Sequence, residues 1–412
     1  MPLPARQWLA LLLSLLLAPV AGWGQASVAG QVRDSLTHAP LPFASVFLAN
    51  TTLGVTTTDR GRFLFDNVPA GTYDIVVSYV GYHLAKQTVV VGSTPLELLL
   101  QPGPAANQLG EVVVRPNPNR AADYQRFVEL FLGRTSFSQQ CRISNPDNLL
   151  VDYDPAQNVL TASAYKFVQV DNQALGYRIK YYGLRFSTDF ERHIVRFYGQ
   201  PVFEEMTPRN ARQQQRWQAN RRAAYSGSLT HFLKSVRDGS VTAEGFVARR
   251  LRIVPNPNFA RADSLRKLLL RRRLHEQLTA TETDSLTRWH LVPWGHSLLY
   301  TTPHPLDSLR RVSADGTHTF LRFTDHLQVS YLREAPDPLY PSARRLPGTP
   351  AASQQVSELV PLLREIEILP NGQLANPLGV LTNEYWGFEK MGEFLPLNYL
   401  PPAATSPSHP TP

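Results

Sequence analysis

The chain has 412 residues, room for two or three domains at the usual ~100–200 residues each. Lys and Arg number 41 against 33 Asp and Glu, a net charge of +8, with 43% of residues hydrophobic and only 18% charged. That balance supplies a core and excludes global disorder. Thirty-four prolines argue against long helical bundles. The single cysteine, Cys141, excludes an intrachain disulfide and a thiolate metal cluster.

Residues 1–26 read as a secretory leader. Arg6 supplies the positive end, Leu9 to Val20 form a short apolar run, and small residues follow at Ala21, Gly22, Gly24 and Ala26. The run is shorter than the ~20 apolar residues that span a bilayer, so export with cleavage is expected rather than anchoring. No cysteine follows for lipidation, and no later stretch is long and apolar enough for a transmembrane helix.

From Ser27 to Pro102 short β-rich runs alternate with turns. Val28 and Val32, then Ala44, Val46 and Leu48, then Phe63 and Phe65, then Tyr73, Ile75, Val77 and Tyr79 keep a period of two. Asp59-Arg60-Gly61 is a turn whose glycine suits a positive φ. About seven strands with turns every 8–12 residues predict an antiparallel sandwich.

The run Gly30-x-Val32-x-Asp34, Pro42-x-Ala44-x-Val46, Gly54-Val55-x-Thr57-x-Asp59-x-Gly61-x-Phe63, Pro69-x-Gly71-x-Tyr73 and Ser78-x-x-Gly81-Tyr82 resembles the carboxypeptidase regulatory-like domain. The resemblance implies a transthyretin-like sandwich of seven strands, common at the N-termini of Gram-negative envelope proteins. It implies no peptidase activity, because in that family the zinc site lies in a separate catalytic domain. Such a site needs His and a carboxylate at short spacing. No His-x-x-Glu occurs, and His275-Glu276 is followed by Gln277, Leu278 and Thr279.

Residues 103–119 read as a linker or final strand. Within them Leu109-Gly110-Glu111-Val112-Val113-Val114-Arg115 resembles the stretch that follows this sandwich in TonB-dependent outer-membrane receptors. A receptor barrel of ~22 strands needs far more chain than follows, so no such barrel is expected.

Residues 120–400 are expected to form an α+β domain with antiparallel strands, and 401–412 a disordered tail. Helices are predicted over 119–133, 209–222 with Trp217 as anchor, 228–236 and 264–278. Strands are predicted over 148–199, 245–254 and 298–331, and Pro370-Asn371-Gly372 marks a hairpin. Phe131-Leu-Gly133, Cys141-x-Ile143-x-Asn145-Pro146, Ala174-Leu-Gly176-Tyr177, Ala223-Ala-Tyr225-x-Gly227-Ser228-x-x-His231-Phe232 and the end from Tyr385 to Pro396 resemble a companion domain of unassigned function in exported bacterial proteins. That resemblance implies no activity.

The basic charge is concentrated. Residues 209–273 hold sixteen Lys and Arg against Asp238, Glu244 and Asp263, a local charge of +13. Such a stretch is either a solvated face or a contact for an anionic surface, and Arg271, Arg272 and Arg273 are the candidate contact residues. Nucleic acid is not expected in an exported chain without a recognised binding motif.

Catalytic signals are sparse. His290, His296 and His304 with Asp307 are the one stretch with acid–base or metal-binding residue types. Gly295-His296-Ser297 lacks the second glycine of a nucleophile elbow, and Glu204-Glu205 diverge on any regular element. His231 reads as a packing or capping residue and Cys141 as a structural thiol. The expected function is therefore an exported envelope protein that works by binding or assembly, with no catalytic residue, cofactor or metal assigned. Envelope proteins, anionic glycolipids and carbohydrates are the candidate partners. The alternatives are a hydrolase around His290–Asp307 and a carbohydrate-binding module using exposed Tyr and Trp.

Overall fold

The structure is a computed structural model and describes residues 25–105, 120–192, 194–273, 275–341 and 353–402. The expected leader, apart from its last two residues, lies outside the described residues. So do Leu109–Arg115 and the tail from residue 403 onward. The chain divides into two compact units, Met1–Arg115 with Gln200–Phe203, and Pro116–Gly199 with Glu204–Pro412. It is mainly β.

The first unit holds β1 (Gln25–Val32), β2 (Ser45–Leu48), β3 (Gly54–Thr56), β4 (Arg62–Pro69), β5 (Gly71–Ser78), β6 (Ala85–Val91) and β7 (Leu96–Leu100). They form two sheets, β4-β1-β7 and β3-β2-β5-β6. Val28, Val32, Val46, Phe63, Phe65, Ile75 and Val77 close one core between them. One expectation needs correcting. β1 and β7 run parallel, from Val28 against Leu96 to Val32 against Leu100. No hairpin joins these strands, so their direction is set by the crossover through the other sheet and not by a local turn.

Two glycines are required by geometry. Gly30 lies so close to β7 that a Cβ would sit 2.3 Å from the Leu98 carbonyl oxygen. Gly61 has φ +69°, and a Cβ there would meet the Val32 carbonyl oxygen at 2.6 Å. Gly61→Val combines left-handed strain with a backbone overlap. It is expected to cost the sandwich more than about 2 kcal/mol. Thermal unfolding of the full chain checks this: the first-unit transition should fall by roughly 10 °C or more. An unchanged transition would remove the turn from the sandwich's requirements.

In the second unit α1 (Arg120–Leu132) is followed by β8 (Cys141–Ile143), β9 (Leu149–Asp154), β10 (Val159–Ala164), β11 (Phe167–Asn172), β12 (Tyr177–Asp189) and β13 (Ile194–Glu205), of which Gln200–Phe203 count with the first unit. The sheet order is β8-β11-β12-β10-β9, with β13 on β12. The ladders from β8 to β9 are antiparallel. The helical period of α1 puts Phe127 and Phe131 on this sheet, edge-on to Phe186 and Tyr181 at 5.0 and 5.5 Å.

Next come α2 (Ala211–Tyr225), α3 (Leu229–Asp238), β14 (Phe246–Pro255), α4 (Phe259–Arg273), α5 (Ala280–His290), β15 (Gly295–Pro303), α6 (Leu306–Leu309), β16 (Arg310–Val312), β17 (Thr319–Arg322), β18 (His326–Tyr331), β19 (Gln355–Pro361), β20 (Glu365–Ile368), β21 (Val380–Asn383) and α7 (Glu384–Phe388). They build the antiparallel sheets β15-β14-β18-β19-β21 and β16-β17-β20. Phe232, Leu233 and Val236 of α3 fill the core with Phe246, Leu327, Val329 and Trp386.

Three local readings change. The helix expected over 264–278 runs instead over Phe259–Arg273, because Asn256-Pro257-Asn258 starts it early. α5 was not expected. Its signal is Thr279-x-x-Glu282, a capping box in which the Thr279 side chain accepts from the Glu282 amide while the Glu282 carboxylate accepts from the Thr279 amide. At Asn371-Gly372 the chain turns as expected, with Gly372 at φ +85°. The returning strand is reduced to one bridge, Ile368 with Leu374, while β20 takes its ladder from β17.

Candidate functional site

The Arg-rich stretch becomes several elements with different duties. On α2, Trp217 donates its indole N–H to the Gln173 carbonyl at 2.9 Å, and Asn220 donates to Ala174 at 2.7 Å. Arg221 donates to the Leu175 carbonyl at 2.8 Å, and its guanidinium lies 3.9 Å from the centre of the Tyr177 ring. Arg237 donates to the Ile368 carbonyl at 2.6 Å, and Arg250 pairs with Asp325. These cations hold the fold. A strand or helix pattern could not separate them from free ones, because their partners are remote in sequence.

β14 and β15 form a ribbon, and their connection carries α4 and α5. Arg271, Arg272 and Arg273 close α4, all exposed, where cations favour the helix C-terminus. They are not equivalent. Arg272 is tied to Glu276 at 2.7 Å and Glu282 at 2.8 Å. Arg271 and Arg273 make no ion pair among the described residues. Residues 249–303 carry ten Lys and Arg against four Asp and Glu, so this arm holds +6 of the chain's charge.

The histidines do not converge. His290 ends α5, and His296 faces Val254 in the β15 ladder. His304 lies just past the other end of β15, its amide donating to the Ala248 carbonyl at 2.7 Å. Eight residues of extended chain, roughly 25 Å, separate His296 from His304. Among the described residues no group of three or more His, Cys, Asp or Glu is placed to hold a metal ion.

His231 is buried against Tyr225, with ring centres 4.9 Å apart. Its Nδ1 accepts from the Gly227 amide at 3.1 Å, which leaves Nε2–H facing the Glu244 carboxylate at 3.3 Å. Burial, partly offset by Glu244, holds its pKa below the ordinary value. Cys141 donates to the Phe137 carbonyl, and burial pushes its thiol up to about 12, so it is inert as a nucleophile.

Sequence reasoning missed one cluster. The C-terminal segment brings Glu389 and Glu393 beside Asp337 and Glu334. Thr135 donates to the Glu393 carboxylate, and Asn172 donates to the Gly392 carbonyl at 2.9 Å. Ser136 donates its amide and hydroxyl to Asp337 at 2.9 and 3.1 Å. Burial, then the neighbouring acids, raises Glu389 well above the carboxylate range. Burial lifts Glu393 and Glu334 to about 7. Burial favours the protonated form of these carboxyls, and only the fold brings Glu393 to Thr135 and Asp337 to Ser136, 258 and 201 positions away.

In the sandwich the conspicuous motif residues have structural partners. Asp34 accepts from the Leu36 and Thr37 amides at 2.7 and 2.8 Å and from the Tyr82 hydroxyl at 2.5 Å. The Tyr82 hydroxyl, then those two amides, hold its carboxyl down to about 2. Thr57 donates to the Leu41 carbonyl at 2.7 Å and accepts from the Ala44 amide at 2.8 Å. Tyr73 donates to the Pro69 carbonyl at 3.0 Å. The spaced residues of the first unit thus close on one another. Residues 28–114 match the CarboxypepD_reg-like domain.

The match runs past 102, over part of the stretch expected to be linker. In the CarboxypepD_reg-like domain the buried polar side chains Asp34, Thr51 and Thr57 all bond to backbone groups, so its motif describes a fold and not a reaction. No curated protein matches the chain. Among solved structures, a group B streptococcus pilus 2b backbone protein is 17% identical, over 20% of this chain and 42% of that one, with a TM-score of 0.18. The match therefore spans less than half of the pilus protein. A Pseudomonas aeruginosa protein described as a "putative carbohydrate binding protein" is 18% identical over 24% of this chain and 98% of that one, TM-score 0.17. A 5-hydroxyisourate hydrolase of Klebsiella pneumoniae is 22% identical over 19% of this chain and 86% of that one, TM-score 0.16. Likeness at these scores carries no argument about ligand or activity.

Proposed function

We propose that the protein is exported to the cell envelope and acts there by binding or assembly, without chemistry of its own. The CarboxypepD_reg-like domain serves as a rigid β module, and the arm over residues 249–303 meets an anionic component of the envelope. The observation that carries this reading is the pair Arg271 and Arg273, without an ion pair among the described residues, on an arm holding +6 of charge. The leader-like sequence of residues 1–26 supports export, and no helix among the described residues is long and apolar enough to cross a membrane.

The test is binding to lipopolysaccharide, to vesicles containing anionic lipid and to a soluble acidic polysaccharide, each as a function of salt. Screening shortens from ~10 Å at 0.1 M to ~3 Å at 1 M, so long-range attraction should nearly vanish. Arg271→Glu with Arg273→Glu leaves the paired Arg272 in place. At about 1 kcal/mol for each cation lost near an anionic surface, and with two repelling carboxylates added, the double variant should bind at least roughly 30-fold more weakly at low salt. Salt-independent binding, or an unaffected double variant, would reduce the arm's charge to a solvated face.

A further inference from the structure

The register of the β14–β15 ribbon assigns its exposed side chains to faces. Opposed residues in an antiparallel ladder point the same way, and neighbours along a strand alternate. Arg252 opposes Leu298 and Val254 opposes His296, so these four share one face. The Arg250 guanidinium lies 5.1 Å from the centre of the Tyr300 ring, which adds that pair to the row. The Asn256 amide donates to the Trp294 carbonyl at 2.9 Å, continuing the ladder so that Trp294 joins the same face. The row on β15 is therefore Trp294, His296, Leu298 and Tyr300.

This face stands in solvent. Trp294 is 55% exposed, Leu298 50%, Val254 42% and Tyr300 38%. Scattered exposed apolar residues are ordinary, but Trp294, Leu298, Tyr300 and Val254 gathered on one face of a basic arm mark a surface that meets something. We propose that this face lies on an anionic lipid bilayer. Trp294 and Tyr300 sit at headgroup depth, Leu298 and Val254 reach the acyl boundary, and Arg252 faces lipid phosphates. A glycan would use the aromatic rings but would leave Leu298 and Val254 in water. The +6 of residues 249–303 matches an anionic surface. The proposal rests on the reading of the arm as an anionic contact and adds the lipid and its mode of insertion.

Co-sedimentation of the full-length protein with vesicles of phosphatidylcholine plus phosphatidylglycerol tests it, with dextran sulfate as a soluble polyanion. Trp294→Ser with Leu298→Ser leaves the charge untouched. It should weaken vesicle binding at least tenfold while dextran sulfate binding stays within twofold. Should that variant unfold, Trp294→Phe gives an independent measure: quenching by brominated lipid, present in the wild type, should largely disappear. Vesicle binding unchanged by the double Ser variant would overturn the proposal, as would binding to dextran sulfate alone; both leave the electrostatic reading standing. Binding to neither target would remove that reading and the proposal together.

Discussion

Raising the pH from 6 to 8.5 should destabilise the second unit, through the carboxyls gathered at its C-terminal segment. Glu393 and Glu334 are lifted to about 7, and Glu389 is raised well above the ordinary carboxylate value, each first by burial. A carboxyl that is harder to ionise in the fold than in the open chain makes folding take up protons. That stability is complete below the unfolded value of about 4.3 and is lost as pH rises through about 7. After discounting for partial solvation, the group should be worth about 2 kcal/mol over this range. His318, held up by its contact with Glu367, titrates in the same direction. Buried His231 opposes it only on the acid side, since its pKa is lowered. Asp34, held at about 2, is silent in this window. Thermal midpoints at the two pH values check the expectation. Glu393→Gln keeps an oxygen for the Thr135 hydroxyl but cannot ionise, so its midpoint should fall less than that of the wild type. A wild type with a flat profile, or a Gln variant with the full slope, would show that these carboxyls are not linked to folding.

Trp386→Ala should be the most damaging single change in the second unit. The indole fills the core beside Phe232, with ring centres 5.5 Å apart, and donates its N–H to the Gly227 carbonyl at 2.8 Å. The Trp386 amide donates to Ser357 at 3.2 Å, which anchors α7 on β19. Truncation leaves a cavity and a buried carbonyl without its donor, about 3–5 kcal/mol for the packing alone. Trp386→Phe keeps most of the volume and loses the hydrogen bond, so it should cost only about 1–2 kcal/mol. Denaturant unfolding of the two variants separates packing from hydrogen bonding. Equal losses would mean that the indole N–H, and not the ring, carries the site.

Legibility followed the range of the interactions. Ser228 before α3 caps the His231 amide at 3.2 Å, and Asn210 caps Gln213 at 2.9 Å; both signals lie within three residues of their effect. The α5 capping box, Thr279 with Glu282, is equally local. Arg272 shows the limit. Its neighbours in sequence are free cations, while its acids come from Glu276 and from the next helix, and residue type alone ranks all three arginines alike.

The sequence by itself determined the seven-strand sandwich, its turn at Gly61 and the helices around Phe127, Trp217 and Phe232. Period-two alternation, turn residues and caps act through neighbours on the chain, so they can be read without coordinates. Only the tertiary structure decided that β1 and β7 run parallel and that Trp294, Leu298 and Tyr300 share an open face with Arg252. It alone decided that Glu334, Asp337, Glu389 and Glu393 meet beside Thr135. Strand direction without a hairpin, register between distant strands and the burial of a carboxyl all depend on partners far away in sequence. Folding brings those partners together, and no local pattern encodes which ones they are.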